Sequence, residues 1–325
     1  MDEASSRFVD QIALDRLLGE KLMRVAHRPS VELGKLEQVP YSELAWSDQP
    51  PRVRPSNVDQ VQLLRSESTT PEQWYSVCEY VVPNPKGSIL LIHGLFEDNR
   101  AIYGFLISEL NRQSYSVYLT TLPFHYERTP SDSSFSGEYF FSADLARTKA
   151  AFCQACLELH ECHAWLRSCS PVPVFVVGFS MGGTVALTVA ALTRSFRGLT
   201  IINPAARLGD VIWTSPLCES IRRDLADAGH GDEAVRRVMA SYDPFLLEER
   251  LTDQSRIQMI YALYDQITLS WQYESLIERL GLSQVHRYKA GHLNTLRVPR
   301  LAEDIVAFFE RIERASSSLG GGVAL

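Results

Sequence analysis

Between residues 88 and 288 the chain repeats one pattern: a short apolar run rich in β-branched residues, a turn, then a longer segment with helical periodicity. Such alternation restricts the fold to a mostly parallel sheet flanked by helices, an α/β architecture. Strands are expected at 88–93, 116–121, 174–179, 199–203, 257–263 and 284–288, several of them nearly all apolar, as strands covered on both faces must be. Helices are expected at about 101–113, 143–167, 182–195, 269–280 and 301–314. A strand around 75–82 would start the sheet as an antiparallel edge. With 325 residues and 45% hydrophobic content, one such core can be fully buried.

Three stretches stand outside the rhythm. Residues 204–255 separate two strands by about fifty residues and read as amphipathic helices, so they are expected to form a cap over the sheet, with Trp213, Leu217, Ile221 and Phe245 as apolar walls above the site. Residues 1–70 read as an extension that packs on the main domain. Phe8, Ile12, Leu14, Leu17, Leu18 and Leu22 recur at helical spacing, then Pro29, Pro40, Pro50, Pro51 and Pro55 favour an extended path. The Ser/Gly-rich stretch 316–325 reads as a disordered tail. The core is thus expected at 71–203 and 256–315.

Charge and cysteine usage exclude several classes. The net charge of −7 is spread along the chain without a basic stripe, which disfavours a nucleic-acid partner. No apolar run approaches the roughly 18 residues of a membrane span, and the polar start Met1-Asp2-Glu3-Ala4 lacks an apolar leader, so a soluble cytoplasmic protein is expected. Cys153, Cys156, His160 and His163 share one helical face, but at about 1.5 Å per residue the outer pair stands roughly 15 Å apart, too far for one tetrahedral ion. No metal and no organic cofactor are expected.

The chemistry concentrates at Gly178-Phe179-Ser180-Met181-Gly182. A G-x-S-x-G match arises by chance in roughly one chain of this length in ten. Here it follows the apolar run Val174-Phe175-Val176-Val177 and opens a helix, which is the strand-turn-helix setting the motif requires. A serine on so sharp a turn needs small neighbours, because side chains at 178 and 182 would strike the adjacent strand and helix. The turn presents Ser180 at the carboxyl edge of the sheet as nucleophile and sets the Met181 amide at a helix N-terminus, where it can hold an oxyanion.

A serine hydroxyl needs a base. Three histidines follow the turn: His230 in the expected cap, His286 within the last strand, and His292 just beyond it after Ala290-Gly291. His292 occupies the loop that can reach the sheet edge and is the expected base. Asp265, at the tip of the strand 257–263, is the expected orienting acid; its rivals are Asp243, in a turn before Pro244, and Asp253, ahead of the strand. The second oxyanion donor is expected in His93-Gly94-Leu95-Phe96: the Leu95 amide first, Phe96 as fallback, with His93 itself a buried hydrogen-bonding residue.

In these elements the chain resembles the α/β-hydrolase superfamily over about residues 75–314: His93-Gly94 after the third strand of that fold, the Ser180 elbow, Asp265 after the seventh and Gly291-His292 after the eighth. The resemblance implies an α/β-hydrolase fold with a mostly parallel eight-stranded sheet and a helical cap after the sixth strand. One position departs: a glycine often stands three residues before the acid, where this chain has Ala262. The segment Leu122-Pro123-Phe124-His125-Tyr126-Glu127-Arg128-Thr129-Pro130 is similar to one branch of the superfamily, the group related to α/β-hydrolase domain-containing protein 18.

That segment also has a local reading. His125 and Arg128 lie near the catalytic edge, where His125 could touch substrate and Arg128 could grip a carboxylate or phosphate; alternatively Arg128 pairs with Glu127, Asp132 or Glu138 to fix the loop. Phe96 and Trp213 complete the candidate substrate-binding residues. The expected activity is hydrolysis of a carboxylic ester or thioester through an acyl-enzyme on Ser180. The alternative is an acyltransferase, cyclase or lyase on the same fold, using His292 as general base or Ser180 as acyl carrier. The expected partner is a small-molecule acyl substrate; the oligomeric state is open, with a homodimer the candidate.

Overall fold

The computed structural model describes residues 2–36, 44, 46–47, 50–56, 60–64, 74–240, 243, 251 and 253–320. It opens with helix α1 (Glu3–Glu20), whose first turn is capped by Asp2 accepting from the Ser5 amide at 2.8 Å. The strands follow as β1 (Arg52–Pro55), β2 (Gln60–Leu64), β3 (Trp74–Tyr80), β4 (Gly87–Ile92), β5 (Tyr115–Thr120), β6 (Val174–Phe179), β7 (Leu199–Ile202), β8 (Ile257–Ala262) and β9 (Gln284–Tyr288). Between and after them run α2 (Gly104–Arg112), α3 (Leu145–Cys169), α4 (Met181–Thr193), α5 (Leu208–Thr214), α6 (Glu219–Asp227), α7 (Asp232–Ala240), α8 (Ser270–Leu280) and α9 (Leu301–Gly320).

These strands form one sheet in the order β1-β2-β3-β5-β4-β6-β7-β8-β9, parallel from β5 to β9 and antiparallel at the β1-β2-β3 end. Among the described residues nine strands replace the expected eight, because two segments of the expected extension join the sheet: β2 pairs onto β3, and β1 pairs onto β2. Residue 70 is therefore no boundary of the sheet. In β4 the pleat divides the burden: Leu90 and Ile92 join the core under α3 and α4, while Ile89 and Leu91 join the core under α2 and α9. At the other end, α9 carries the chain as helix to Gly320, past the start of the expected disordered tail; residues 321–325 lie outside the described residues.

The chain runs from β4 to β5 on one side and returns to β6 on the other, so the order reverses between β4 and β6. In an open parallel sheet that reversal leaves a crevice at the carboxyl ends of the strands. Within the expected cap, residues 204–240 contain α5 to α7, and residues 241–242, 244–250 and 252 lie outside the described residues. Helix α6 is tied to the N-terminal segment: the His27 amide donates to Asp224 Oδ2 at 2.7 Å, and Arg223 donates to the Val25 carbonyl at 2.7 Å. Among the described residues, no helix is long and apolar enough to cross a membrane.

Candidate active site

β6 ends in the crevice, and the next residue, Ser180, adopts φ 52° and ψ −122°. A non-glycine residue holds such angles only where its surroundings impose them. Here the Ser180 amide donates to the Ile202 carbonyl at 2.8 Å, and α4 starts at once with Met181. The flanking glycines are sterically required. A Cβ on Gly178 would lie 2.5 Å from the Gly182 carbonyl oxygen, and one on Gly182 would lie 2.4 Å from that of His93.

Two more strand ends bring residues to the same edge of the sheet. Beyond β9, His292 is buried and its Nδ1 lies 2.6 Å from Asp265 Oδ2, just beyond β8. The Asp265 carboxylate is saturated: Oδ2 also accepts from the Tyr273 hydroxyl at 2.6 Å, and Oδ1 accepts from the amides of Ile267 and Thr268 at 2.7 and 3.0 Å. Burial of the His292 ring disfavours its charged form, but the Asp265 carboxylate, with help from Asp10 and Glu97, outweighs that and raises its pKa above the ordinary histidine value. Asn203 steadies the same loop by donating to the His292 carbonyl at 2.9 Å.

The loop after β4 faces Ser180 from the other side. His93 spans it, with Nδ1 2.7 Å from the Gly94 carbonyl and Nε2 accepting from the Leu122 amide at 3.0 Å. His125 accepts from the Phe96 amide at 3.2 Å, and its Nδ1 lies 2.8 Å from the Pro123 carbonyl. Burial lowers the His125 pKa to about 4, so the ring is neutral and acts as an acceptor. The Phe96 amide is thereby occupied. Among the described residues the Leu95 and Met181 amides have no acceptor.

Ser180 and His292 open into a cavity of about 360 Å³. Leu95, Phe96, Ile102, Phe179, Leu217, Ile267 and Leu293 give it apolar walls. Val9, Ile12, Ala13, Arg16, Leu17 and Lys21 also line it, so α1 and the residue just past it close one side.

The sequence between residues 89 and 308 matches the family model described as the alpha/beta hydrolase family. The chain belongs to the alpha/beta hydrolase family. No curated protein matches it. Among solved structures it is similar to TT1662 from Thermus thermophilus, at 20% identity and a TM-score of 0.55, over 80% of this chain and 98% of that one. Acetyl xylan esterase 1 from Thermoanaerobacterium sp. JW/SL YS485 superposes with a TM-score of 0.59 at 13% identity, over 90% and 98% of the two chains. The Pyrococcus furiosus esterase Pf2001 does so at 0.53 and 14%, over 88% and 98%. At such identities the likeness bears on the fold.

This alpha/beta hydrolase departs from the sequence expectation at the substrate residues. Arg128 is buried and bidentate on Glu158, at 2.7 and 3.0 Å, and donates to the Thr121 carbonyl at 2.8 Å; it faces neither the cavity nor Glu127, Asp132 or Glu138. His125 serves the backbone instead of a substrate. Trp213, in α5, packs against the core and does not line the cavity, and Ile221 is buried away from it. Of the four expected cap walls only Leu217 reaches the cavity, while Phe245 lies outside the described residues. Phe96 is the one substrate candidate on the cavity wall.

The rival acids and bases have other employment. Asp243 accepts from the Leu208 amide at 2.6 Å, Asp253 pairs with Arg256 at 2.7 Å, and His286 sits 3.3 Å from Asp304. Cys156, Cys162 and His163 are buried in α3, and among the described residues no three His, Cys, Asp or Glu side chains are grouped to hold a metal ion. Two groups at the site escaped sequence reading. Asp10 of α1 accepts from the His292 and Leu293 amides, and Glu97 lines the cavity with a buried carboxyl group. A helix periodicity shows that α1 exists, but nothing in it indicates where the helix docks.

Proposed function

We propose that the chain is a serine hydrolase that cleaves a carboxylic ester or thioester. Ser180 Oγ attacks the acyl carbon while His292 Nε2 takes its proton, and Asp265 holds the ring through Nδ1 and stabilises the imidazolium. The Leu95 and Met181 amides receive the oxyanion, the leaving alkoxide or thiolate takes the proton back from His292, and water deprotonated by His292 then hydrolyses the acyl-serine. The observation that carries this reading is the 2.6 Å His292–Asp265 bond beside a conformationally strained Ser180, both opening into one largely apolar cavity. A cytoplasmic location belongs to the same proposal. So does the similarity of residues 122–130 to the branch related to α/β-hydrolase domain-containing protein 18; it adds no residue to the chemistry, since His125 and Arg128 are engaged within the fold.

A fluorophosphonate probe followed by intact mass spectrometry tests the assignment. The wild-type protein should gain one adduct at Ser180, Ser180→Ala should gain none while remaining folded, and His292→Ala should be almost unreactive. Asp265→Asn should retain weak reactivity, since loss of the orienting acid costs about 10⁴ in rate in the protease triad. Ester turnover that survives in Ser180→Ala but is lost in His292→Ala would overturn nucleophilic catalysis and favour a lyase or cyclase with His292 as general base.

A further inference from the structure

Helix α1 touches each of the three loops that carry the proposed chemistry. Asp10 accepts from the His292 amide at 2.6 Å and from the Leu293 amide at 3.2 Å. On the loop of the acid, Gln266 donates to the Arg7 carbonyl at 2.6 Å. On the loop of the oxyanion donors, Asp98 pairs with Lys21, just past the helix, at 2.6 Å. Asp10 itself is fully buried, and a buried carboxylate is expensive unless its oxygens are satisfied. Both of its oxygens are given to the backbone of the His292 loop. Gly291 makes that approach possible, since a Cβ there would lie 2.5 Å from Asp10 Oδ2.

We propose that α1 is a working part of the catalytic centre: Asp10 is a positioning residue that holds the His292 loop, and the inner face of the helix is the wall against which an apolar acyl group lies. The inference rests on the assignment of His292 as base. Val9, Ile12, Ala13 and Leu17 present that wall, on the same cavity as Ser180. The charged groups that face His292 are Asp265 from beyond β8, Asp10 from α1 and Glu97 from the loop after β4, with Arg16 and Lys21 lining the same cavity. Removal of the Asp10 charge therefore lets the imidazole lose its proton at lower pH.

The test is the pH dependence of fluorophosphonate labelling and of p-nitrophenyl ester turnover in the full chain. Asp10→Asn should move the acid limb of both profiles to lower pH and reduce the plateau roughly tenfold to hundredfold, as misplacement of a base by about 1 Å does. Gly291→Ala, which pushes Asp10 off the loop, should do the same and serves if Asp10→Asn fails to fold. Leu14→Ala, buried on the same helix but absent from the cavity wall, should lower the melting temperature without moving the limb. Ala13→Phe should depress turnover of the octanoate ester relative to the acetate. A wild-type chain that takes no label overturns the serine-hydrolase reading and this inference together. A labelled wild type overturns the inference alone if Asp10→Asn or Gly291→Ala keeps the wild-type limb, or if Ala13→Phe leaves the chain-length preference unchanged.

Discussion

Glu97 shows how a single side chain can be set by opposing influences. Burial pushes its carboxyl group up to about 7, against hydrogen bonds from the Tyr103 and Tyr126 hydroxyls at 2.6 and 2.9 Å and from the Gly94 amide at 3.0 Å. An acid whose folded pKa is raised stabilises the fold below its unfolded pKa, and that contribution is lost as pH rises through the folded value. The expected outcome is that Glu97→Gln loses less thermal stability than the wild type between pH 5 and pH 8, measured by melting temperature at fixed ionic strength. An identical pH dependence in both proteins would refute it. The grouping of Ser180, Asp265 and His292 at one sheet edge was legible because strand-end positions and the Ser180 elbow carry a local signature. Glu97 and Asp10 were not, since a lone acid in a loop or on a helix looks like any solvated carboxylate until its partners, up to 283 residues away, are in place.

At the scale of elements, the Arg128–Glu158 pair fixes the long loop after β5 to α3 at a depth where neither charge meets water. Breaking such a pair leaves one buried charge uncompensated and costs about 3–5 kcal/mol. Arg128→Ala should therefore lower the unfolding midpoint in urea strongly, whereas Arg128→Met paired with Glu158→Leu should recover much of the loss. An Arg128→Ala chain with wild-type stability and a weakened substrate affinity would restore the substrate-contact reading instead. The sequence placed Arg128 near the catalytic edge and missed its partner, because Glu158 lies thirty positions away in a helix whose burial is unusually complete. β1 and β2 were illegible for a different reason. Residues 52–55 are exposed at every position, so no alternation of apolar and polar side chains marks them, and the strand exists only because β2 offers a free edge.

Across the whole molecule, the parallel sheet and its flanking helices followed from hydrophobic periodicity, which is a property of each segment taken alone. What covers the sheet edge did not, because coverage is a property of pairs of segments. The helical segment after β7 contributes Leu217 to the cavity wall, and α1 contributes far more. That assignment makes completion of the site a late event in the life of the chain. On the ribosome α1 is made well ahead of the amides to which Asp10 binds, which lie at residues 292 and 293. Until those residues are made the helix has no dock, and its inner apolar residues must be tolerated in solution or screened by a chaperone. Loops of that length also close slowly on refolding. After dilution from denaturant, far-UV ellipticity should therefore recover ahead of the capacity of Ser180 to react with a fluorophosphonate, and a variant lacking residues 1–21 should regain the first signal without the second. Simultaneous recovery of both signals would place the docking of α1 early, within the folding nucleus.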